Sequence, residues 1–326
     1  MRFLPTAEQA DFTRTLDRML GAAGTPETAR AWAAGEHAPG RRLWDRLAEA
    51  GLFALAVPEA YDGYGPRPVE LALAFVELGR HAVPGPVAET VAAAALLDAL
   101  PDPGPAKEWL PRVATGRAVL TLAAPEGGHA LDADAADAAL LVAGDRLLLA
   151  RGHGPVRASL DPARRLARPE PGTAAVLAAG PAVRAAAALA ADRAALVTAA
   201  QALGVGLSLL TRTVGHVRRR RQFGVPVGSF QAVKHRLADT LIALEFARPL
   251  LHGAAVTGTG ADIAAAKAAC GEAAYTAART ALQLHGALGY TAEYELSLWL
   301  TKARALRSAW GSPAQCRARV LAETPV

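Results

Sequence analysis

Apolar residues recur at three- and four-residue spacing through both ends of the chain, and the middle changes character. From about Thr6 to Leu110 the pattern predicts helices. Thr6 stands where a cap belongs, and Phe12, Leu16, Met19 and Leu20 share the face of the helix that follows. Leu43, Leu47 and Ala50 line a second helix that ends at Gly51, a predicted C-cap. The passage LFALAVPEAYDGYGPRPVELALAFVELGR then reads as an apolar run, a Gly/Pro/Tyr loop and another helix. Between Ala118 and Ala179 the segments AVLTLAA, AALLVAGDRLLLARG and TAAVLAA are short, apolar and bounded by Gly, Asp and Pro, which predicts strands. Ala143-Gly144-Asp145-Arg146 predicts a hairpin connection between two of them. From Pro181 onward the helical period returns over 182–222, 229–256, 261–287 and 294–309, with a short last helix. In the second of these, Ser229 is placed to cap, and Phe230, Val233, Leu237, Leu241, Leu244 and Ala247 form one stripe. Gly253 to Gly260 (GAAVTGTG) reads as the flexible link among these helices. Four striped helices with brief connections predict a bundle. The expected organisation is a helical domain over 1–116, a reduced β-barrel-like middle domain over 117–181 and a helical bundle over 182–326: a mainly α protein with a small β domain.

The 326 residues are enough for two or three domains and a substantial core. Abundant alanine and few aromatics favour closely packed helices over a large β-sandwich. A net charge of +5 is modest, and its only dense cluster is Arg218 to Arg221, with no interleaved aromatics to stack bases, which argues against nucleic acid. Cys270 and Cys316 sit in helical contexts without metal-ligand or disulfide spacing, so no metal is expected and a reducing cytoplasm is the simple inference. The start, MRFLPTAEQADF, lacks the apolar core of a signal peptide. The most apolar run, Ala185 to Leu210, is broken by Asp192 and Arg193 and reads as a buried helix, not a membrane span.

The chemistry concentrates at RRRRQFGVPVGSFQAVKHRLADTLIALEFAR, Arg218 to Arg248. A basic helix ends, a tight turn displays Gln222 and Phe223, and a second helix begins. Guanidinium groups at such a corner hold an anion by paired hydrogen bonds. The segment resembles the acyl-CoA dehydrogenase family, whose pattern here runs R-x-Q-F-G-x-P-[IV], FQ, H-x-LAD, E-x-AR. Arg220, Gln222, Phe223, Gly224, Pro226, Val227, Phe230, Gln231, His235, Leu237, Ala238, Asp239, Glu245, Ala247 and Arg248 supply it. A second match, QLHGALGYTAEYEL from Gln283 to Leu296, follows in order and register. Upstream, Leu52, Val57, Pro58, Glu59, Gly63 and Gly65 match a loop of the same family, with Tyr64 where a second glycine is usual.

The resemblance implies the family's three-part fold and FAD as cofactor. It assigns Arg220 to the pyrophosphate, with Gln222 and Phe223 beside the adenine and ribityl regions and Gln231 in the same motif. It makes Gln283, Leu284, Gly286 and Ala287 a helix end that the cofactor approaches, Ala287 replacing a second glycine. Ser312 keeps a hydroxyl where the family has a threonine near the cofactor. Because the family's arginine reaches a cofactor held mainly by the neighbouring subunit, a dimer with composite sites is implied. Plainer readings stand beside these: Arg218 and Arg219 as a solvated helix end, His285 as a packed histidine, and Thr291 or Glu293 as a cap.

Two departures bear on activity. The family's first middle-domain loop is replaced by LAAPEGGHALD, in which only Pro125 and Gly127 correspond, and a W-I-T-N-like strand end has no counterpart; Asp161 to Arg165 resembles the exit strand. Removing the α-proton of an acyl thioester needs a carboxylate, yet counting from the motifs puts Trp310 and Ala194 at the two positions where the family keeps its glutamate. Asp192 is a weak substitute, since two residues along a helix is about 200° around its axis. The first expectation is therefore a FAD-site-forming subunit that works with a glutamate-bearing partner, as in heteromeric steroid-degrading members of the family. The alternatives are a self-sufficient flavoenzyme using Asp192 or Glu126 on an acyl-CoA or carrier-bound thioester, and a cofactor-free scaffold. Electron-transfer flavoprotein is the electron acceptor that the resemblance implies.

Overall fold

The computed structural model describes residues 4–123, 128–170 and 175–323. Pro125, Glu126 and Gly127 lie outside them. The chain forms two compact units by contact, one from Met1–Pro26, Ala72–Val83 and Thr198–Val326, the other from Glu27–Leu71 and Pro84–Val197. Three helices, α2 (Thr25–Ala33), α4 (Pro68–Arg80) and α7 (Ala182–Arg219), contribute residues to both.

The second of these units combines α2 (Thr25–Ala33), α3 (Ala38–Glu49), α5 (Val87–Asp98) and α6 (Gly104–Ala114) with the β segments. Gly40 lies so close under the Trp32 ring that a Cβ would overlap it, and Trp44 stacks on Phe53 with ring centroids 4.2 Å apart. Helix α5 is apolar on all sides and buried on all sides, the expected fate of such a helix. It packs on β1 (Leu120–Leu122), where the Thr90 hydroxyl donates to the Leu120 carbonyl. The sheet runs β1, β3 (Ala138–Ala143), β4 (Arg146–Ala150), β6 (Ala175–Ala179). β1 and β3 are parallel; β3 and β4 form the hairpin expected at Gly144-Asp145, with Ala143 facing Arg146. A second ribbon pairs β2 (Ala130–Leu131) with β5 (Leu166–Ala167). The β part is thus small among the described residues, as expected.

In the other unit, Thr6 caps α1 (Ala7–Gly21) with a reciprocal bond to Gln9. The bundle consists of the distal part of α7 with α8 (Gln231–Thr257), α9 (Gly260–His285), α10 (Leu296–Ser308) and α11 (Pro313–Glu323), and α9 packs against the last three of its neighbours. Small residues let these helices touch backbone to backbone. A Cβ on Gly79 would strike the Gln201 carbonyl, and one on Gly204 the Val76 carbonyl. The most apolar stretch of α7 is buried within the protein, as its interruption by Asp192 and Arg193 foretold.

Three local expectations need correction. Helix α7 stops at Arg219, not at 222, because the chain enters a hairpin there. Ser229 does not cap α8: extended Phe230 precedes the helix without a side-chain cap, while the Ser229 hydroxyl donates to Pro226 O at 2.7 Å. GAAVTGTG is mostly helix, since α8 continues to Thr257 and ends on left-handed Gly258, with Thr259 capping α9.

Candidate functional site

The corner after α7 is built from local rules. Arg220 N–H makes the last helical bond, to His216 O at 2.9 Å, and the backbone then extends. β7 (Arg221–Gln222) and β8 (Val225–Pro226) pair antiparallel across Phe223 and Gly224, whose φ angles are 53° and 79°. Positive φ at both central residues is the requirement of a type I′ hairpin turn. Glycine meets it freely; phenylalanine is strained there. The strained residue is also 91 % exposed, touching Phe230 edge-on with centroids 6.2 Å apart. Arg218, Arg219, Arg220, Arg221, Gln222 and Gln231 are exposed around it. Among the described residues none of the four arginines forms an ion pair, so the corner carries concentrated, uncompensated positive charge.

The end of α9 lies against the same corner. The rings of His216 and His285 stack with centroids 4.0 Å apart, and His285 leans on Tyr294 at 5.7 Å. His285 is 1 % exposed; its Nδ1 lies 2.8 Å from Ala281 O, while its Nε2 and that of His216 are buried without a partner. Burial, the neighbouring His285 and then Arg220 and Arg219 push His216 down to about 4; burial likewise lowers His285. Both rings are therefore neutral at neutral pH. One turn earlier, Arg212 lies over the Trp299 ring at 3.7 Å and donates to Glu295 at 3.1 Å. Gly286 then ends α9 at φ 61°, ψ −135°, a conformation that suits glycine, and a Cβ there would meet nothing within 4 Å. Gln283 and Ala287 are exposed and Leu284 is half-buried. The two sequence motifs thus meet through the paired histidines. Uncompensated guanidiniums and an open backbone end together fit a dinucleotide anion.

Ser312 and Trp310 lie elsewhere in this unit's last turn. The Ser312 hydroxyl donates to Gln315 Oε1 at 2.6 Å and accepts from Gln315 N–H, a capping box opening α11. Trp310 is half-buried at φ 56°, followed by Gly311 at φ 126°. Lys267, fully buried in α9, holds this turn by donating to Leu306 O, Arg307 O and Gly311 O at 3.0, 3.2 and 3.0 Å. Ala194 is fully buried and Asp192 half-buried, both in the other unit.

Sequence reading missed His216 as a partner of the motifs, although it stands one helical turn before Arg220. It also missed Lys267, a lone cation among the alanines of AAAKAAC.

Residues 184–323 match the profile described as acyl-CoA dehydrogenase, C-terminal domain, and residues 6–117 the corresponding N-terminal domain. Acyl-CoA dehydrogenase IpdE2 of Mycobacterium tuberculosis is 32% identical over 323 residues, covering 98% of this chain and 98% of the relative. Among solved structures, the ChsE4–ChsE5 complex from Mycobacterium tuberculosis superposes with TM-score 0.87 at 27% identity, covering all of both chains. The Tcur3481–Tcur3483 steroid ACAD gives TM-score 0.85 at 25% identity over 97% of each chain.

Proposed function

The chain belongs to the acyl-CoA dehydrogenase family of FAD-dependent oxidoreductases, and from that premise we propose that it contributes a FAD-binding corner to a shared site whose catalytic base comes from a partner subunit. The observation that carries this reading is the corner itself: a strained, 91 % exposed Phe223 amid four arginines that form no ion pair among the described residues. When bound, FAD supplies the hydride acceptor for oxidising the Cα–Cβ bond of an acyl thioester. Arg220 would grip the pyrophosphate by charge-assisted hydrogen bonds, with Gln222 and Phe223 beside it, and Gly286 with Gln283 would let the cofactor approach the end of α9. Leu284, Ala287 and Gln231 would complete that lining. Ser312, engaged with Gln315, would offer the cofactor at most a lone pair.

Proton removal is assigned to the partner. At the counted glutamate positions, Trp310 has no proton-accepting atom and Ala194 no functional group. The outer face of α8 supports a second subunit: Ile242, Phe246 and Leu250, at four-residue spacing, are 51, 73 and 46 % exposed, and Leu241 beside them 45 %. Relatives support it too, since ChsE4–ChsE5 and Tcur3481–Tcur3483 are each named as two chains. The second of those names makes a steroid-derived acyl thioester the substrate class to try first.

The test is to purify the chain alone and with a glutamate-bearing acyl-CoA dehydrogenase chain, and to record flavin absorbance. Flavin retained only in the pair is expected, with Arg220→Ala in the pair weakening FAD about 10- to 100-fold, the worth of one charge-assisted contact. A yellow chain that oxidises acyl-CoA by itself would overturn the proposal.

A further inference from the structure

The first and fourth helices bring together three groups that neither motif uses. Asp17 lies in the last turn of α1, Glu77 in the last turn of α4, and His81 just beyond it. The His81 N–H donates to Glu77 O at 3.1 Å, so Glu77 and His81 are one helical turn apart on one face. Their ligand atoms and a carboxylate oxygen of Asp17 all lie within 4.8 Å of one another. We infer that Asp17, Glu77 and His81 form a binding site for a divalent transition metal of the zinc class, tying α1 to the end of α4.

The donor set fits that class. One imidazole and two carboxylates, with solvent completing the sphere, suit a borderline cation, where calcium or magnesium would favour oxygen alone. Pairs of ligands one turn apart are a common helical chelate. Zinc at about 2.1 Å from each donor sets donor atoms about 3.4 Å apart. The 2.8 Å contact from His81 Nε2 to Asp17 Oδ1 therefore opens slightly, and Glu77 closes by a side-chain rotation. Access is provided by Asp17, whose side chain is 57% exposed.

The surroundings leave Glu77 short of compensation. Its side chain is 14% exposed, and the Arg80 guanidinium is the cation beside it. Arg80 Nε is 3.5 Å from Glu77 Oε1 but buried without a hydrogen bond, so the contact lacks good geometry. A cavity of about 130 Å³ adjoins Glu77, lined also by Thr13, Arg80, Arg248 and His252. The two arginines oppose a cation, whereas the carboxyl-terminal end of α4 presents its carbonyl dipoles toward it. Two carboxylates outweigh what Arg80 contributes at that distance.

The test needs no flavin and so stands apart from the function proposed above. The full chain, freed of any affinity tag and stripped with chelator, is dialysed against Zn²⁺ and assayed for bound metal; Co²⁺ serves as the spectroscopic probe. One equivalent is expected, with cobalt bands of a mixed nitrogen–oxygen site and a raised Tm. His81→Ala and Asp17→Asn should each weaken binding at least about 10-fold, as the loss of one ligand does, and abolish the rise in Tm. Asp17 is exposed, so its variant keeps the test open where His81→Ala fails to fold. No binding above background, or binding and Tm rise unchanged in Asp17→Asn, overturns the site.

Discussion

Lys267 has three donors and three carbonyl acceptors, and no part of the side chain reaches solvent. Replacing it with methionine keeps the volume but strands the Leu306, Arg307 and Gly311 carbonyls, so Lys267→Met is expected to lower stability by about 2–4 kcal/mol, read as a fall in Tm. The turn carrying Trp310 should loosen with it, because Gly311 O is the bond that closes that turn onto α9. A loss no greater than that of a surface substitution would show that water replaces the ammonium. At this scale the sequence was legible in placement where a motif names the residue: Arg220 and Phe223 stand exposed at the corner after α7, and Gly286 ends α9. It was not legible for His216 or Lys267, because their partners lie 69 and 44 positions away for His285 and Gly311, and contacts at that distance leave no local period. His285 was readable as a packed histidine, and it is one, 1 % exposed.

Helix α8 shows why element existence is easier to read than element facing. The stripe read from Phe230 to Ala247 advances by three or four residues, as any helix face does. Only Leu244 and Ala247 of it are fully buried, along with Thr240, Leu251, Ala254 and Ala255, while Leu241 is 45% exposed. With apolar residues on two faces, the period cannot say which one meets the core. The surplus face of Ile242, Phe246 and Leu250 is the useful residue of that ambiguity. Phe246→Asp should leave the fold of the isolated chain intact, since Phe246 is 73% exposed, yet weaken association with the proposed partner subunit about 10-fold or more. Sedimentation of the mixed chains reads the effect; equal association of variant and wild type would move the interface off α8. Helix ends follow the same logic. α7 stopped early because a hairpin whose turn needs Phe223 and Gly224 at positive φ competes with the last helical turn, a local contest that apolar periodicity does not register.

For the whole molecule, folding is linked to pH through groups whose burial no motif announces. Asp132 is fully buried at φ 53°, accepting the Arg165 N–H at 3.0 Å, with the Trp32 side chain beside its carboxyl group. Burial pushes its carboxyl from the usual 3.8 up to about 7. The folded chain therefore binds this proton more tightly than the unfolded one. Its contribution is complete below about 3.8 and is lost as pH rises through about 7. His216 acts in the opposite sense. Pushed down from 6.5 to about 4, it contributes above 6.5 and loses that contribution as pH falls toward 4. Asparagine mimics the protonated carboxyl of Asp132, keeps the oxygen that accepts from Arg165 and tolerates left-handed backbone. Asp132→Asn should thus match the wild type only below about pH 3.8 and exceed it increasingly up to about pH 7, by at most on the order of 4 kcal/mol for a shift of about three units. Urea melts across that range decide it: parallel curves would mean that Asp132 stays ionised in the folded chain.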